Sequence, residues 1–560
     1  MFEKRATKTE CDRQVGVYFR LVREPDADCK RRAFESALAS HTEAQSHTLL
    51  FRYRQLDFDA IPDKPWVYWM PKSLQEQFRR LPLLQQSAPS IHGTATYDNK
   101  RFLRFWWEVG TNRVGRNVEA WAEIAENDCV FVPYMKGGPP IPWYGNQTHV
   151  VKAHRNAREM REFVAAKRDT VRGEDYAFHP GVTWSDVSSK GFAARLSPGG
   201  FIHDVTGMTC FPIKEDVYLA LGLLNSRAAR YLLSALNPTI HYQVGDIERL
   251  PVPSERHPRI DEVVTQCVEL AKQDSQERKL TYDFIAPLLR LENRATRKAQ
   301  LAVLEAEIDT EVSRLYGLSE ADLAAIDREL SGQVAGEAAE DGDNEGGVSD
   351  DEDEAQADFT PADWARSWLS YAIGTVLGRF EIGQPGGLGR GDFAPGTITA
   401  LRALVDPDGI MPCDAGHSQD IVARAVQCLT LMLGAEEART AIRTATGETG
   451  EPVEAVRGCL DRFAGTPDKS FWKYHFQLYR KRPVYWPLQS PRKKYTVWVF
   501  HEKFDKNTLF TIRKLVEERL RLLDREIADK RTAAANNHRA ARELDKLLDV
   551  ADDLEADQGN

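Results

Sequence analysis

Between positions 469 and 503 the chain sets nine lysines and arginines against one acid, Glu502, and interleaves them with aromatic rings. Phosphate contacts from Arg492, Lys493, Lys494 and their neighbours would supply salt-sensitive affinity for a nucleic acid. Trp472, Tyr474, Tyr485, Trp486 and Trp498 would offer faces on which a backbone or an unstacked base can rest. The competing reading is a basic hairpin that faces an acidic segment of the same chain.

Three further stretches carry residue types suited to the same chemistry. In 99–116, Lys100, Arg101, Arg104, Arg113 and Arg116 surround Phe102, Phe105, Trp106 and Trp107. A strand here puts Lys100, Phe102 and Arg104 on one face; the alternative is an aromatic core strand with solvated charges. In 132–146 (VPYMKGG to WYGN), Lys136 stands beside Gly137 and Gly138, a combination that admits close approach to phosphate, with Tyr144 and Asn146 further along. The alternative is a Gly/Pro turn with packed rings. In 237–253 (NPTIHYQVGDIERLPVP) an apolar helix meets an Asn-Pro stop, and a short polar strand comes next with Thr239, His241 and Gln243 on one face. Gln pairs with adenine N6 and N7, so these side chains are candidates for base readout; equally, they hold the helix-to-strand junction together. Asp246 and Glu248 read as turn or capping residues.

Other chemistries lack their residues. Asp63-Lys64 and Asp98-Lys100 have no further acid in place for metal-dependent cleavage. There is no G-x-S-x-G, H-E-x-x-H or Walker A pattern. The eight cysteines are scattered without zinc-site spacing, so reduced, mostly buried thiols are expected. No catalytic residue, metal ligand or cofactor-binding residue is assigned.

The elements that must position these residues fall in several domains, because 560 residues exceed a single core. The net charge is −10, but residues 336–358 hold eleven acids and no base, so the remainder sums to +1. That acidic stretch reads as a disordered linker. It separates 1–255, a β-rich domain, and 256–335, a helical spacer, from 359–560, a helical and basic/aromatic domain. Strands are expected at Trp66–Trp69, Phe102–Val109, Val130–Tyr134 and Thr148–Val151, with a long helix and a capped short one across 281–330. Residues 470–500 read as strands and 505–556 as one long helix. The fold class is α+β: a mixed β-rich domain with long spacer helices, then a second α/β domain with a long terminal helix. No apolar run suits a membrane and no signal peptide or anchor is visible, so a cytoplasmic protein is expected.

The 237–253 phrase resembles the signature in the target-recognition region of large adenine-N6 DNA methyltransferases, above all the PglX kind of the BREX and DISARM phage-defence systems. PWVYW at 65–69, GTATYDNKRFLRFWWEV at 93–109, SPGGFIHDVTG at 197–207, SYAIGTVLGRF at 370–380 and KRPVYWPLQSPRKKYTVWVF at 481–500 resemble further blocks in the same order. The resemblance implies a target-recognition domain at 1–255 and double-stranded DNA as partner. Such enzymes also need a Gly-rich cofactor loop after a strand and an (N/D)PP(Y/F) loop that holds the flipped adenine. Neither is here: Asn237-Pro238 continues with Thr239 and Ile240, and the Gly-rich stretch 383–391 comes after a helical pattern. The chain thus reads as the family's recognition and C-terminal region without its catalytic domain. S-adenosylmethionine is then expected in a catalytic partner, a methyltransferase subunit or other defence-system protein. A split half of one methyltransferase and a scaffold or sensor subunit remain as alternatives.

Overall fold

A computed structural model describes residues 13–126, 130–212, 217–253, 257–331, 359–380, 382, 393–534 and 538–558. The fold is α+β, with several small sheets among helices. Chain contacts divide it into two units: one of 1–104, 112–273 and 296–357, the other of 105–111, 274–295 and 358–560. The acidic stretch 336–358 and the glycines of 383–391 lie outside the described residues.

In the first unit, β1 (Val15–Phe19) and β2 (Leu50–Arg54) form an antiparallel pair. Next in the chain come β3 (Ser90–Ile91), β4 (Leu103–Phe105), β5 (Phe131–Met135), β6 (His149–Lys152), β7 (Gly181–Ser185), β8 (Ala194–Ser197), β9 (Ile202–His203) and β10 (Gly207–Cys210). They build two four-stranded sheets, in the orders β3-β10-β7-β8 and β4-β6-β5-β9. Strand alternation gives the first sheet one apolar face, where Val182, Trp184, Ala194, Met208 and Cys210 join a large core. Helices Val217–Asn225, Arg227–Leu236, Pro258–Gln276, Leu291–Leu315 and Glu320–Ser331 add to it through Leu221, Tyr231, Val264, Ile308, Val312 and Ile326, and Ile61, Leu74, Leu84, Val244 and Leu250 extend it.

The sheet's other face is polar and equally buried: Thr183, Ser185, Arg195, Ser197 and Thr209. Arg195 is 0% exposed and has no carboxylate partner among its described bonds. Its Nη2 donates to Lys136 O at 3.2 Å and its Nη1 lies 3.5 Å from Ser185 Oγ, while Nε is unpaired. Burial lowers its pKa to about 10. His203, bonded to Ser197 Oγ at 3.0 Å, is held neutral, its pKa lowered by burial to about 3.

The second unit packs helices Pro361–Val376, Ile421–Leu433, Ala435–Thr446 and Pro452–Leu460 beside a sheet of order β11-β13-β12, from β11 (Ile410–Pro412), β12 (Tyr485–Gln489) and β13 (Thr496–Phe500). Thr360 and Asp363 cap the first of these helices reciprocally. Arg379 is buried among Tyr479, Trp106 and Phe380, its guanidinium donating to Tyr479 Oη at 2.5 Å. Burial opposes its charge, but Tyr479, Tyr485 and Glu502 outweigh that and keep it protonated.

Several local expectations are corrected. Strands β5 and β6 fall where expected, but 66–69 is a turn and 99–102 a single helical turn whose N-cap is Asp98, its carboxylate accepting Arg101 N at 3.0 Å. Lys100, Phe102 and Arg104 therefore do not share a strand face. Phe471–Leu478 is a helix, because Ser470 caps it by accepting Lys473 N and its rings pack at helical spacing. The terminal segment is two helices, Thr508–Ala534 and His538–Gln558, whose Leu523, Ile527, Ala551 and Leu554 share a core with Val497 and Val499 of β13. Of the long helix and capped short one expected across 281–330, both form, as Leu291–Leu315 and Glu320–Ser331 on either side of Gly317, whose φ is +62°; only the start, at Leu291, is later than expected.

Asp553 of the last helix is fully buried and accepts Ser490 Oγ at 2.5 Å, Arg492 N at 2.6 Å and Lys494 N at 3.1 Å, which fixes the turn between β12 and β13. Burial raises its pKa, but these three donors prevail and the net shift is downward. Asp553→Ala leaves buried donors unsatisfied, an expected loss of about 2 kcal/mol or more. The contribution of a carboxylate with a lowered folded pKa is present above its unfolded value of about 4 and fades as pH falls through the folded one. Denaturant titrations of both proteins should therefore differ at pH 7 and converge in strong acid.

Candidate nucleic-acid interface

The Arg227–Leu236 helix, capped by Ser226, ends where Asn237 precedes Pro238. Asn237 organises the loop after it. Its Oδ1 accepts Thr239 N at 3.1 Å and Thr239 Oγ1 at 2.7 Å, and its Nδ2 donates to His241 O and to Asp246 Oδ2, each at 2.6 Å. Asp246 also accepts Gln243 N at 2.9 Å and caps the short Val244–Glu248 helix, the capping role expected of it. Glu248, on that helix, has its pKa raised by burial.

The loop is also fastened to the turn between β7 and β8. Ser188 N donates to Ile240 O at 3.0 Å, Tyr242 N to Asp186 O at 2.7 Å, and the Trp184 indole to Tyr242 O at 2.9 Å. Phe192 meets the Tyr242 ring edge-on at 5.2 Å. The expected short strand is thus a pinned loop with one bridge, Val187 to His241, because Asn237 satisfies its backbone locally. Pinning leaves Thr239, Ile240, His241 and Gln243 exposed. The Thr239 hydroxyl is spent on Asn237, so the His241 ring and Gln243 amide are the polar tips presented outward. Asp186 beside them has its pKa raised, mainly by burial and then by Asp204.

The other candidates of this unit are employed differently. Gly137 N donates to Thr206 Oγ1 at 3.2 Å and Gly138 N to Ser185 Oγ at 3.0 Å, so neither amide is offered to phosphate. Gly137 is glycine for packing: a Cβ there would stand 2.5 Å from Thr206 O. Tyr144 Oη bonds Gln147 at 3.2 Å and Asn146 Nδ2 bonds Pro139 O at 2.8 Å, both side chains buried. Lys136 is half-buried. Arg104 donates to Lys100 O and Leu103 O at 2.7 and 2.6 Å, Arg101 pairs with Glu159 at 2.8 Å, and Lys100 is exposed. Asp63 pairs with Arg249 at 2.9 Å and Lys64 with Asp59 at 2.9 Å. Among the described residues no group of three His, Cys, Asp or Glu is placed to hold a metal.

In the second unit the aromatic series divides: Tyr479, Tyr485, Tyr495 and Trp498 are buried, Trp472, Tyr474 and Phe476 half-buried, and Trp486 is 46% exposed. His475 receives Val484 N and Tyr485 N on Nε2 at 3.0 Å each, and burial holds it neutral. The turn cations meet acids of the last helix: Lys494 lies 2.7 Å from Asp549 and Arg492 3.5 Å. Lys503 caps Asp406 O and Pro407 O at 3.0 Å, and Arg482 pairs with Glu108 at 2.7 Å. Lys473, Lys481 and Lys493 are exposed.

No protein-family model matches the chain. Over 528 residues, 89% of its length, it is 27% identical to the adenine-specific methyltransferase PglX of Lacticaseibacillus casei (strain Zhang). Over 538 residues, again 89%, it is 24% identical to the adenine-specific methyltransferase BrxX of Escherichia coli O9:H4 (strain HS). The chain is thus similar, over most of its own length, to two adenine-specific methyltransferases. It spans 41% of the length of each of these relatives. β5 pairs with β9 in parallel over two residues, and both ends of the Asn237 amide are committed to the loop. No helix among them is long and apolar enough to cross a membrane.

If Asn237 is what pins this loop, Asn237→Ala should speed amide exchange at 239–243 and cost about 1–2 kcal/mol. Hydrogen exchange by mass spectrometry reads this directly, and unchanged protection would move the pinning to Trp184 and Ser188.

Proposed function

We propose that this chain is the DNA-recognition portion of an adenine-specific methyltransferase system of phage defence, and that its first unit reads sequence through the loop 239–243. The observation that carries the reading is a polar loop, within a PglX-type chain, whose backbone is tied down while His241 and Gln243 face outward. Loops held by a rigid scaffold are where recognition groups are usually presented, and a Gln amide matches the major-groove edge of adenine. The exposed Lys100 of the first unit and, separately, Lys473, Lys481 and Lys493 of the second supply phosphate attraction without sequence information.

Methyl transfer in this reading belongs to a catalytic partner that holds S-adenosylmethionine and receives the adenine. Calorimetric titration of this chain with S-adenosylmethionine should give no binding heat; micromolar binding would return the enzyme function to the chain itself. The recognition role is tested by selection from randomised duplexes, with the partner present. Gln243→Ala should relax one base position, a discrimination of about 1–3 kcal/mol, with the melting temperature kept. Arg104→Ala should instead lower stability and leave the preferred site unchanged, because its guanidinium serves two backbone carbonyls. Binding with no sequence preference at any salt concentration would favour a scaffold role.

Replacing Arg492, Lys493 and Lys494 together by Ala should weaken all duplexes alike. Removing one phosphate contact lowers the salt slope by about 0.9. Because two of the three cations are already paired with Asp549, the expected total is nearer one contact than three, and an unchanged slope would assign the turn to structure alone.

A further inference from the structure

The second unit keeps three touching rings at its surface. Trp486 of β12 is 46% exposed, and Trp472 and Phe476, on one row of the Phe471–Leu478 helix, are half-buried. The ring centres of Trp472 and Trp486 lie 5.9 Å apart and those of Trp472 and Phe476 5.6 Å, so the three form one continuous aromatic surface. Trp472 also meets the fully buried Trp498 at 6.3 Å, which anchors the surface to the core.

Cations stand at both ends of the same helix. Lys473 is in its first turn, on the row beside Trp472, and Lys481 comes after its last turn, where its backbone N–H donates to Phe476 O at 2.8 Å. Both side chains are exposed, and neither has an ion pair among the described residues. From Lys469 to His501 the chain contains no acid. Asp468, just before the helix, pairs with Arg366, and Glu108 pairs with Arg482, each at 2.7 Å. The charge that the helix and β12 leave unpaired is therefore positive.

A polypeptide strand is poorly served here. Val484 O accepts His501 N and Ser490 N donates to Tyr495 O, so the even-numbered residues of β12 bond to β13, and Tyr485, Pro487 and Gln489 turn their main chain to the opposite edge. On that edge Tyr485 N is taken by His475 and Pro487 has no N–H, which blunts it against strand addition. The surface offers ring faces and separated positive charges. A single strand of nucleic acid matches both, because its bases are free to stack and its phosphates recur along the chain. A duplex keeps its bases stacked inside and could engage the lysines alone.

We propose that the second unit binds single-stranded DNA across this surface, with a base stacked on Trp486 and neighbouring phosphates on Lys473 and Lys481. The site lies wholly within the second unit and needs nothing of the 239–243 loop. That the strand is DNA rests on the reading above; that it is unpaired rests on the rings.

The full chain is titrated by fluorescence anisotropy with a labelled oligothymidylate of about a dozen nucleotides and, separately, with a random-sequence duplex. The wild type is expected to bind the single strand. Trp486→Ala should weaken that binding about tenfold with the salt slope kept, and Trp486→Phe should retain most of it. Lys473→Ala with Lys481→Ala should lower the slope by about 1.4, at about 0.7 for each single-strand phosphate contact. The duplex should bind wild type and Trp486→Ala alike. If Trp486→Ala fails to fold, the lysine pair, which removes no packed group, carries the test. No oligothymidylate binding at low salt overturns the proposal, as does binding that these variants leave unchanged or an equal loss for the duplex in Trp486→Ala. Displacement by polyglutamate as efficient as by unlabelled oligothymidylate overturns it in favour of an acidic protein, and tighter binding of an oligouridylate in favour of RNA. Loss of sequence preference in the duplex selection would refute recognition by the first unit and leave the single-strand result standing.

Discussion

Strands β7 and β8 are covered on both faces, and the two coverings are chemically opposite. On one side Val182, Trp184 and Ala194 are sealed by helices. On the other, Thr183, Ser185, Arg195 and Ser197 are buried as polar groups that must find partners within the protein. Arg195 is the costly member, since a buried guanidinium without a carboxylate forfeits several kcal/mol of hydration. It recovers part of this by holding Lys136 O and approaching Ser185 Oγ, while Ser185 in turn donates to Gly138 O at 2.7 Å. The turn after β5 is thereby fixed to the hairpin. Since the 186–192 connection of that hairpin carries the 237–243 loop, the candidate interface inherits its position from a polar layer.

The second unit shows how little a count of cations says about a surface. Nine basic residues against one acid between 469 and 503 suggested an exposed positive face. In the fold Arg492 and Lys494 meet Asp549, and Lys503 and Arg482 are spent on carbonyls and on Glu108. Among the described residues, the acid that balances the turn comes from the last helix. Exposed pairs of this kind contribute between nothing and about 1 kcal/mol each. Their consequence is for the field rather than for stability, because a phosphate approaching the turn must compete with Asp549.

What was legible in the sequence was whatever is decided locally. The strands β5 and β6 are written in alternating apolar residues, the helix stop at Asn237 in the proline after it, and the capping role of Asp246 in its spacing. Missed were places where one side chain redirects the backbone. Asp98 turns an apparent strand into a helical turn and Ser470 starts a helix in an aromatic run that β propensity assigns to strand.

The same distinction explains why His241 and Gln243 survive as recognition candidates while Tyr144 and Asn146 serve the fold. All four are polar side chains near glycine or proline in segments without periodicity, and the sequence treats them alike. They differ in which atoms satisfy the local backbone. In 139–147 the side chains do it, with the Asn146 amide on Pro139 O, and are buried in consequence. In 237–243 a single residue, Asn237, serves Thr239, His241 and Asp246, and the His241 and Gln243 side chains stay exposed. The His241 and Gln243 side chains can stay exposed because one asparagine has taken over hydrogen bonds within the loop.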